Sequence, residues 1–309
     1  MGLISTTEQY LFRPSFGGLL ISYLLFPLSL IYCFIAWLRF KLASQKDYAI
    51  AVVSIGNLVV GGSGKTPFTI AVAKKFENSA VVLRGYKRES SGLYVISNGG
   101  KIFEDVSISG DEAMLYAKSL PNSIVIVCED RVDGIKKAKE LGASIVFLDD
   151  GYGKHFIKKL DFILHSETEN SFCLPSGPYR EKLWSGKDAV VIKEDSEYFR
   201  NVTILNSSKS MILITAISKP WRLDRWLPDN VIEKKYFPDH HMFDKGEVIE
   251  LFKKSGATSI LTTQKDAVKL ENFNLPLSIM ELDIEVSTDI ISLIKTYKQS
   301  CKEDYAKEN

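Results

Sequence analysis

Gly61, Gly62, Ser63, Gly64, Lys65 and Thr66 stand in an order that suits phosphate chemistry. Glycines let backbone N–H groups close on phosphate oxygens, and a helix beginning at that point adds partial positive charge. Lys65 is then placed to reach the β- and γ-phosphates of a nucleoside triphosphate, and the Thr66 hydroxyl to ligate Mg2+. The strict pattern G-x-x-x-x-G-K-[ST] asks for glycine at position 59, where this chain has Val59. The flanking context has to support the motif instead. Residues 49–55 (AIAVVSI) predict a strand buried on both faces, and the run from Pro67 to Phe76 predicts a helix with proline at an early position, where its missing N–H costs nothing. A coincidental glycine turn is the competing reading.

Residues 144–150 (SIVFLDD) predict a second strand, ending in Asp149 and Asp150. Phosphate-loop enzymes present a metal-binding aspartate at that end of the sheet. Adjacent carboxylates repel unless a cation or shared proton relieves them, so a nearby Mg2+ accounts for the pair, with a solvated turn as the alternative. Strands near 80–83 and 124–127, separated by helical stretches at 110–119 and 132–142, predict a parallel sheet with helices on both faces. The loops at its carboxyl edge then gather Arg84 to Arg88, Gly110 to Glu112 and Glu129 to Arg131 around one crevice.

The elements that must position these groups fit within 309 residues, room for about two domains. A formal charge of +1 gives no general attraction to nucleic acid, and no nucleic-acid-binding motif is present. Cys33, Cys128, Cys173 and Cys301 lie far apart without a C-x-x-C pair, so neither a disulfide framework nor zinc is expected, which suits a reducing cytoplasm. From Phe16 to Leu38 no residue is charged, a length that at about 1.5 Å per residue can cross the ~30 Å of a bilayer core. Arg39, Lys41 and Lys46 follow it while Arg13 precedes it, a bias that puts everything downstream in the cytoplasm. A buried core helix and an interfacial helix remain open readings.

The segments SIGNLVVGGSGKTP (54–67), LRGYKR (83–88), SGDEAML (109–115), FLDDGY (147–152), LPSGPYREKL (174–183), FPDHHMF (237–243) and TTQKDAVKL (262–270) together resemble the tetraacyldisaccharide 4′-kinase family. That family shares the departure from glycine at the Val59 position, and the segments occur in its order. The resemblance implies transfer of the γ-phosphate of ATP to the 4′-hydroxyl of an acylated disaccharide 1-phosphate in lipid A synthesis, at the cytoplasmic face of the inner membrane. It implies ATP and Mg2+, a lipid acceptor and a membrane as partners, with no protein partner indicated. It also implies Asp111 as general base with His240 beside it, and Glu112, Asp149 and Asp150 near Mg2+. Arg131 and Arg180 are candidates for phosphate or transition-state contacts, because a guanidinium offers planar, permanently charged donors; exposed ion pairs are the alternative. The family commonly continues D-D-G-F-Q-H where this chain reads DDGYGKH, so Lys154 and His155 inherit no role.

The expected organisation is a membrane-associated helix over 1–40, a phosphate-loop core over 41–198 and a smaller α/β domain over 199–309, which the resemblance implies would carry His240 across a cleft towards Asp111. The polar stretch 195–209 is expected as the linker, followed by strands at 211–217 and 259–263. Two rival functions are a membrane-associated GTPase acting as a maturation switch, for which TQKD is a loose match to a guanine-binding tetrapeptide, and a nucleotide-sensing scaffold without catalysis.

Overall fold

The computed structural model describes residues 10–61, 64–217, 220–239 and 241–308. Strands β1 (Ala51–Gly56), β2 (Ser79–Leu83), β3 (Tyr94–Asn98), β4 (Lys101–Ile102), β5 (Ile124–Val127), β6 (Ile145–Asp149), β7 (Leu160–Leu164) and β8 (Val190–Ile192) make one sheet in the order β4-β3-β5-β2-β6-β1-β7-β8. All pairs are parallel except those of β3, which runs against β5 and β4. Every residue of β1, β2, β5 and β6 is buried, as apolar, β-branched strands covered on both faces should be.

Helix α1 (Phe16–Lys41) precedes this sheet, and helices connect β1 to β2, β4 to β5 and β5 to β6. After α1 come α2 (Lys65–Ala73), the short α3 (Val106–Ser109), α4 (Asp111–Ser119) and α5 (Arg131–Glu140). Phe68 and Val72 of α2 and Tyr116 of α4 pack on one face with Val53, Ile55 and Phe147. Ile135 and Ala138 of α5 pack on the other with Val52, Val82 and Leu148. The register places Ile55 opposite Asp149, so the turn after β1 and the end of β6 meet at one edge of the sheet.

A second sheet holds β9 (Tyr198–Leu205), β10 (Met211–Thr215), β11 (Val231–Tyr236), β12 (Ser259–Thr263) and β13 (Leu277–Val286) in the order β11-β10-β12-β13-β9. Helices α6 (Lys245–Ser255) and α7 (Gln264–Leu270) flank β12 in sequence. The stretch expected as a linker is therefore mostly β9, paired antiparallel with β13 from Tyr198↔Val286 to Leu205↔Ile279. Its side chains alternate between covered and exposed, and this half-polar pattern lacks the continuous apolar run that marks a strand buried on both faces. Helix α8 (Thr288–Glu308), last in sequence, returns to the first sheet, where Ile290, Ile294 and Cys301 join the Phe68 and Tyr116 cluster. In space the chain after 198 thus contributes to both layers rather than to the smaller sheet alone.

Helix α1 is inverted relative to a soluble helix. Its buried residues are the small Ser22, Ser29 and Ala36, spaced seven apart on one stripe, while Phe16, Leu24 and Phe34 are exposed. The stripe lies on the segment 168–181. Ser29 Oγ donates to Cys173 O at 2.8 Å and accepts from Ser176 N at 3.0 Å, and Tyr32 Oη donates to Arg180 O at 3.2 Å. Just before the helix, Glu169 N donates to Phe12 O at 3.1 Å, and at its far end Arg39 pairs with Glu181 at 2.7 Å. Both ends are tied to the same segment. Cys33 and Cys173 are bonded across this seam with Cα atoms 6.0 Å apart, a pairing that the cysteine spacing did not predict because only the packing of α1 brings them together. Ser29→Leu would overfill a site that is 2% exposed and lose both of its hydrogen bonds. It should cost about 1–3 kcal/mol, read as a lower melting temperature in detergent, whereas Leu24→Ala on the exposed face should leave the melting temperature unchanged.

Candidate active site

The turn after β1 opens with Asn57, which is 1% exposed, bends at Leu58 and reaches Val59, which is in an isolated β-bridge. Val60 N donates to Pro178 O and Arg180 N to Leu58 O, both at 2.9 Å, and Val59 bridges Tyr179. This pairing explains the missing first glycine. An extended, paired residue needs no left-handed backbone, so a buried valine fits where a free loop would call for glycine. Gly61 and Gly64 do take positive φ, at 89° and 81°, and Gly64 is the N-cap of α2. Gly62 and Ser63 lie outside the described residues. Thr66 is on the first turn of α2 beside Lys65.

Lys65 Nζ lies 3.2 Å from Asn57 Oδ1 and 3.7 Å from Asp150 Oδ1. Arg180 Nη2 donates to the same Asn57 oxygen at 2.8 Å and to Asp150 Oδ1. Sequence reasoning passed over Asn57, whose one signal is a lone amide directly after a buried strand. Asp150 has φ of 57°, a left-handed conformation that costs a residue with a Cβ about 1–2 kcal/mol, held here by its two cationic partners.

The two aspartates are shifted in opposite directions. Burial drives Asp149 upward to about 7, helped by Glu112 and opposed by Lys65. Burial also pushes Asp150 upward, but Lys65 and Arg180 outweigh it and hold that carboxylate below its ordinary value. Asp149 Oδ2 accepts from Tyr116 Oη at 3.0 Å, while its Oδ1 is buried with no hydrogen-bond partner. Among the described residues no three His, Cys, Asp or Glu side chains converge tightly enough to form a metal cage. Thr66, Glu112, Asp149 and Asp150 therefore do not make a preformed one; Mg2+ characteristically takes only one or two protein carboxylates and fills its octahedron with water and phosphate oxygens.

Asp111 opens α4 after Gly110, whose φ is 80°, and is 7% exposed. Two lysines of α7 approach it from the second sheet. Lys269 Nζ is 3.1 Å from Asp111 Oδ2 and 3.3 Å from Asp266 Oδ1. Lys265 Nζ is 3.8 Å from Asp111, 3.6 Å from Glu112 and 3.6 Å from Asp239. His240 itself lies outside the described residues, but its neighbours are placed. Lys87 Nζ donates to Asp239 O at 3.5 Å and Lys269 Nζ to His241 O at 3.3 Å, so the chain on both sides of position 240 is held near Asp111. Neither the loose tetrapeptide match of TQKD nor the family segment TTQKDAVKL assigns a role to these lysines; two lysines four apart on one helix face are the signal that points to them. Asp266 is 0% exposed and accepts from Thr215 Oγ1 at 2.7 Å, Ala216 N at 2.8 Å and Thr263 Oγ1 at 3.1 Å. Its carboxylate is occupied by the protein and is not open to a guanine base.

Arg131 opens α5, just after the end of β5. It is 4% exposed and donates to Cys128 O at 2.6 Å and Asp149 O at 3.3 Å, which braces the ends of β5 and β6. His155 is buried, with Nδ1 2.7 Å from Lys187 Nζ, Nε2 3.5 Å from Glu181 and its ring 5.4 Å from that of Phe40 at the end of α1. It joins α1 to the segment carrying Arg180.

The family model described as Tetraacyldisaccharide-1-P 4'-kinase matches residues 21–299. A tetraacyldisaccharide 4'-kinase of Aliarcobacter butzleri is 47% identical over 306 residues, covering 96% of this chain and 97% of that protein. One of Helicobacter pylori is 44% identical over 293 residues, covering 94% of each. A crystal structure of LpxK from Aquifex aeolicus in complex with ATP superposes with a TM-score of 0.72 at 25% identity, covering 90% of this chain and 99% of that one. A match that runs through both sheets and most of α1, together with relatives aligned almost end to end, leaves one assignment: this chain belongs to the tetraacyldisaccharide-1-P 4'-kinase family.

Proposed function

We propose that this enzyme transfers the γ-phosphate of ATP to the 4′-hydroxyl of a tetraacyldisaccharide 1-phosphate, a lipid A precursor, at the cytoplasmic face of the inner membrane. The observation that carries the proposal is the convergence of the Lys65, Asp150 and Arg180 cluster with Asp111 at one edge of the sheet, in a chain of this family. The exposed apolar face of α1, with both ends of the helix tied to segment 168–181, supports attachment to the bilayer on the side where the catalytic sheet lies.

In this reading the backbone N–H groups from Gly61 to Thr66 cradle the phosphates and Lys65 reaches the transferred group. The orphaned Asp149 Oδ1 and the Thr66 hydroxyl, together with Asp150 and Glu112, would hold Mg2+. A bound Mg2+ supplies neutralisation of the charge that spreads over the phosphate oxygens. Asp111, oriented by Lys269 and with His240 as the partner the family resemblance implies, accepts the proton of the 4′-hydroxyl as that oxygen bonds to the γ-phosphorus and the bond to the β-phosphate oxygen breaks, releasing ADP. Arg180 meets the charge on the transferring group.

The test is incubation of the full-length enzyme in detergent with Mg2+ and either γ-labelled ATP or γ-labelled GTP, with tetraacyldisaccharide 1-phosphate present or absent. Label should enter the lipid from ATP. Hydrolysis of GTP with no labelled lipid would instead support a GTPase.

A further inference from the structure

We infer that Arg200, on β9 of the second sheet, is a phosphate-binding residue that contacts the polyphosphate chain of the nucleotide beside Gly64 of the glycine loop. The inference rests on the nucleotide reading of that loop and not on the identity of the lipid acceptor.

Three observations place it there. Tyr198, at the start of β9, is 2% exposed and packs its ring 5.3 Å from that of Phe68 in α2, so this end of β9 is docked on the helix that the loop initiates. Arg200 lies two residues further on and shares that face of the strand, with Nη2 3.4 Å from Tyr198 Oη. Its guanidinium rests directly against Gly64, filling the space that a Cβ at that position would occupy. Gly64 immediately precedes Lys65 and caps α2, so the guanidinium stands at the mouth of the phosphate cradle.

The charge balance points the same way. Arg200 Nε is 3.2 Å from Glu194 Oε2, but that carboxylate also meets Arg225 at 2.8 Å and Arg222 at 3.8 Å. Three guanidiniums share one glutamate, beside a helix N-terminus and Lys65, which already favour an anion. Burial, followed by repulsion from Arg200, holds Arg222 below its ordinary pKa. A bound polyphosphate relieves this excess. It also gives the second sheet a direct grip on the nucleotide, because β9 carries Arg200 to the loop while β13 continues into the sheet from which Lys265 and Lys269 approach Asp111.

The experiment uses the full-length protein in detergent without lipid acceptor. It measures displacement of a fluorescent ADP by ATP, by ADP and by inorganic tripolyphosphate, which has no adenine. A charge-assisted pair to phosphate predicts that Arg200→Ala weakens ATP and tripolyphosphate by the same factor, on the order of 10-fold or more, with an unchanged melting temperature. Arg200→Lys should recover part of the loss, and Glu194→Gln, which frees the guanidinium, should not weaken tripolyphosphate. Unchanged tripolyphosphate displacement in Arg200→Ala and Arg200→Lys would overturn the proposal, as would weakening confined to the adenine-bearing ligands. Since no acceptor is present, failure of the lipid assignment would leave these results intact.

Discussion

Asp111→Asn should bind ATP with wild-type affinity and transfer phosphate at a rate lower by about 10²–10⁴-fold, the usual contribution of a positioned general base. The asparagine keeps the shape of the side chain and its acceptor oxygen, so the N-terminus of α4 stays formed; what it loses is the negative charge facing Lys269 at 3.1 Å and the capacity to take a proton. Lys265 and Lys269 would remain close to Glu112, Asp239 and Asp266, and the loss of one carboxylate among four should leave the fold intact. Stopped-flow nucleotide binding and single-turnover transfer, measured on the same sample, separate the two effects. Equal losses in binding and transfer would point to a collapsed site rather than a missing base.

Lys65→Met should reduce both nucleotide affinity and turnover, with transfer lowered about 10²–10³-fold by analogy with removal of a single transition-state charge contact. The lysine lies between Asn57 and Asp150, and its side chain is mostly covered, so methionine fills the volume and deletes the charge. Asp150 would lose Lys65 from the cations that hold its pKa down, leaving Arg180 and Arg131. The variant therefore differs from Asp111→Asn in a defined way: isothermal titration with a non-hydrolysable ATP analogue should show weakened binding here and normal binding there. If both variants bound the analogue like wild type, Lys65 would have no role in holding the phosphates.

These contrasts reflect how the site divides between what was legible in sequence and what was not. Strand β1, the glycine loop and α2 could be read because a continuous apolar run, a glycine cluster and an early proline each have a local physical cause. The ends of β6 and α4 were legible for the same reason. The residues that tie the site together were not. Asn57 acts through Lys65 and Arg180, which are 8 and 123 positions away. Lys269 reaches Asp111 from another sheet, a contact created by topology and not by spacing. The type of Arg131 suggested an anion ligand, whereas its depth was not legible: at 4% exposure Nη1 and Nη2 donate to the carbonyls of Cys128 and Asp149, and Nε has no hydrogen-bond partner. Strand β9 was missed because a one-sided strand bearing Arg200, Asn201 and Thr203 has the composition of a linker. In α1, the apolar run disclosed the helix, whereas the serine stripe that docks it meets its partner 144 residues away and had no local signature.

The most direct test of the account is the position of the new phosphate on the lipid. Wild-type enzyme would be supplied with ATP and tetraacyldisaccharide 1-phosphate, and the product examined by phosphorus NMR and fragment-ion mass spectrometry. The account predicts two monophosphate esters, one on each sugar, with the new one at the 4′-oxygen and absent from the Asp111→Asn reaction. A diphosphate at the 1-position, or a lipid recovered unchanged while ATP is consumed, would contradict it.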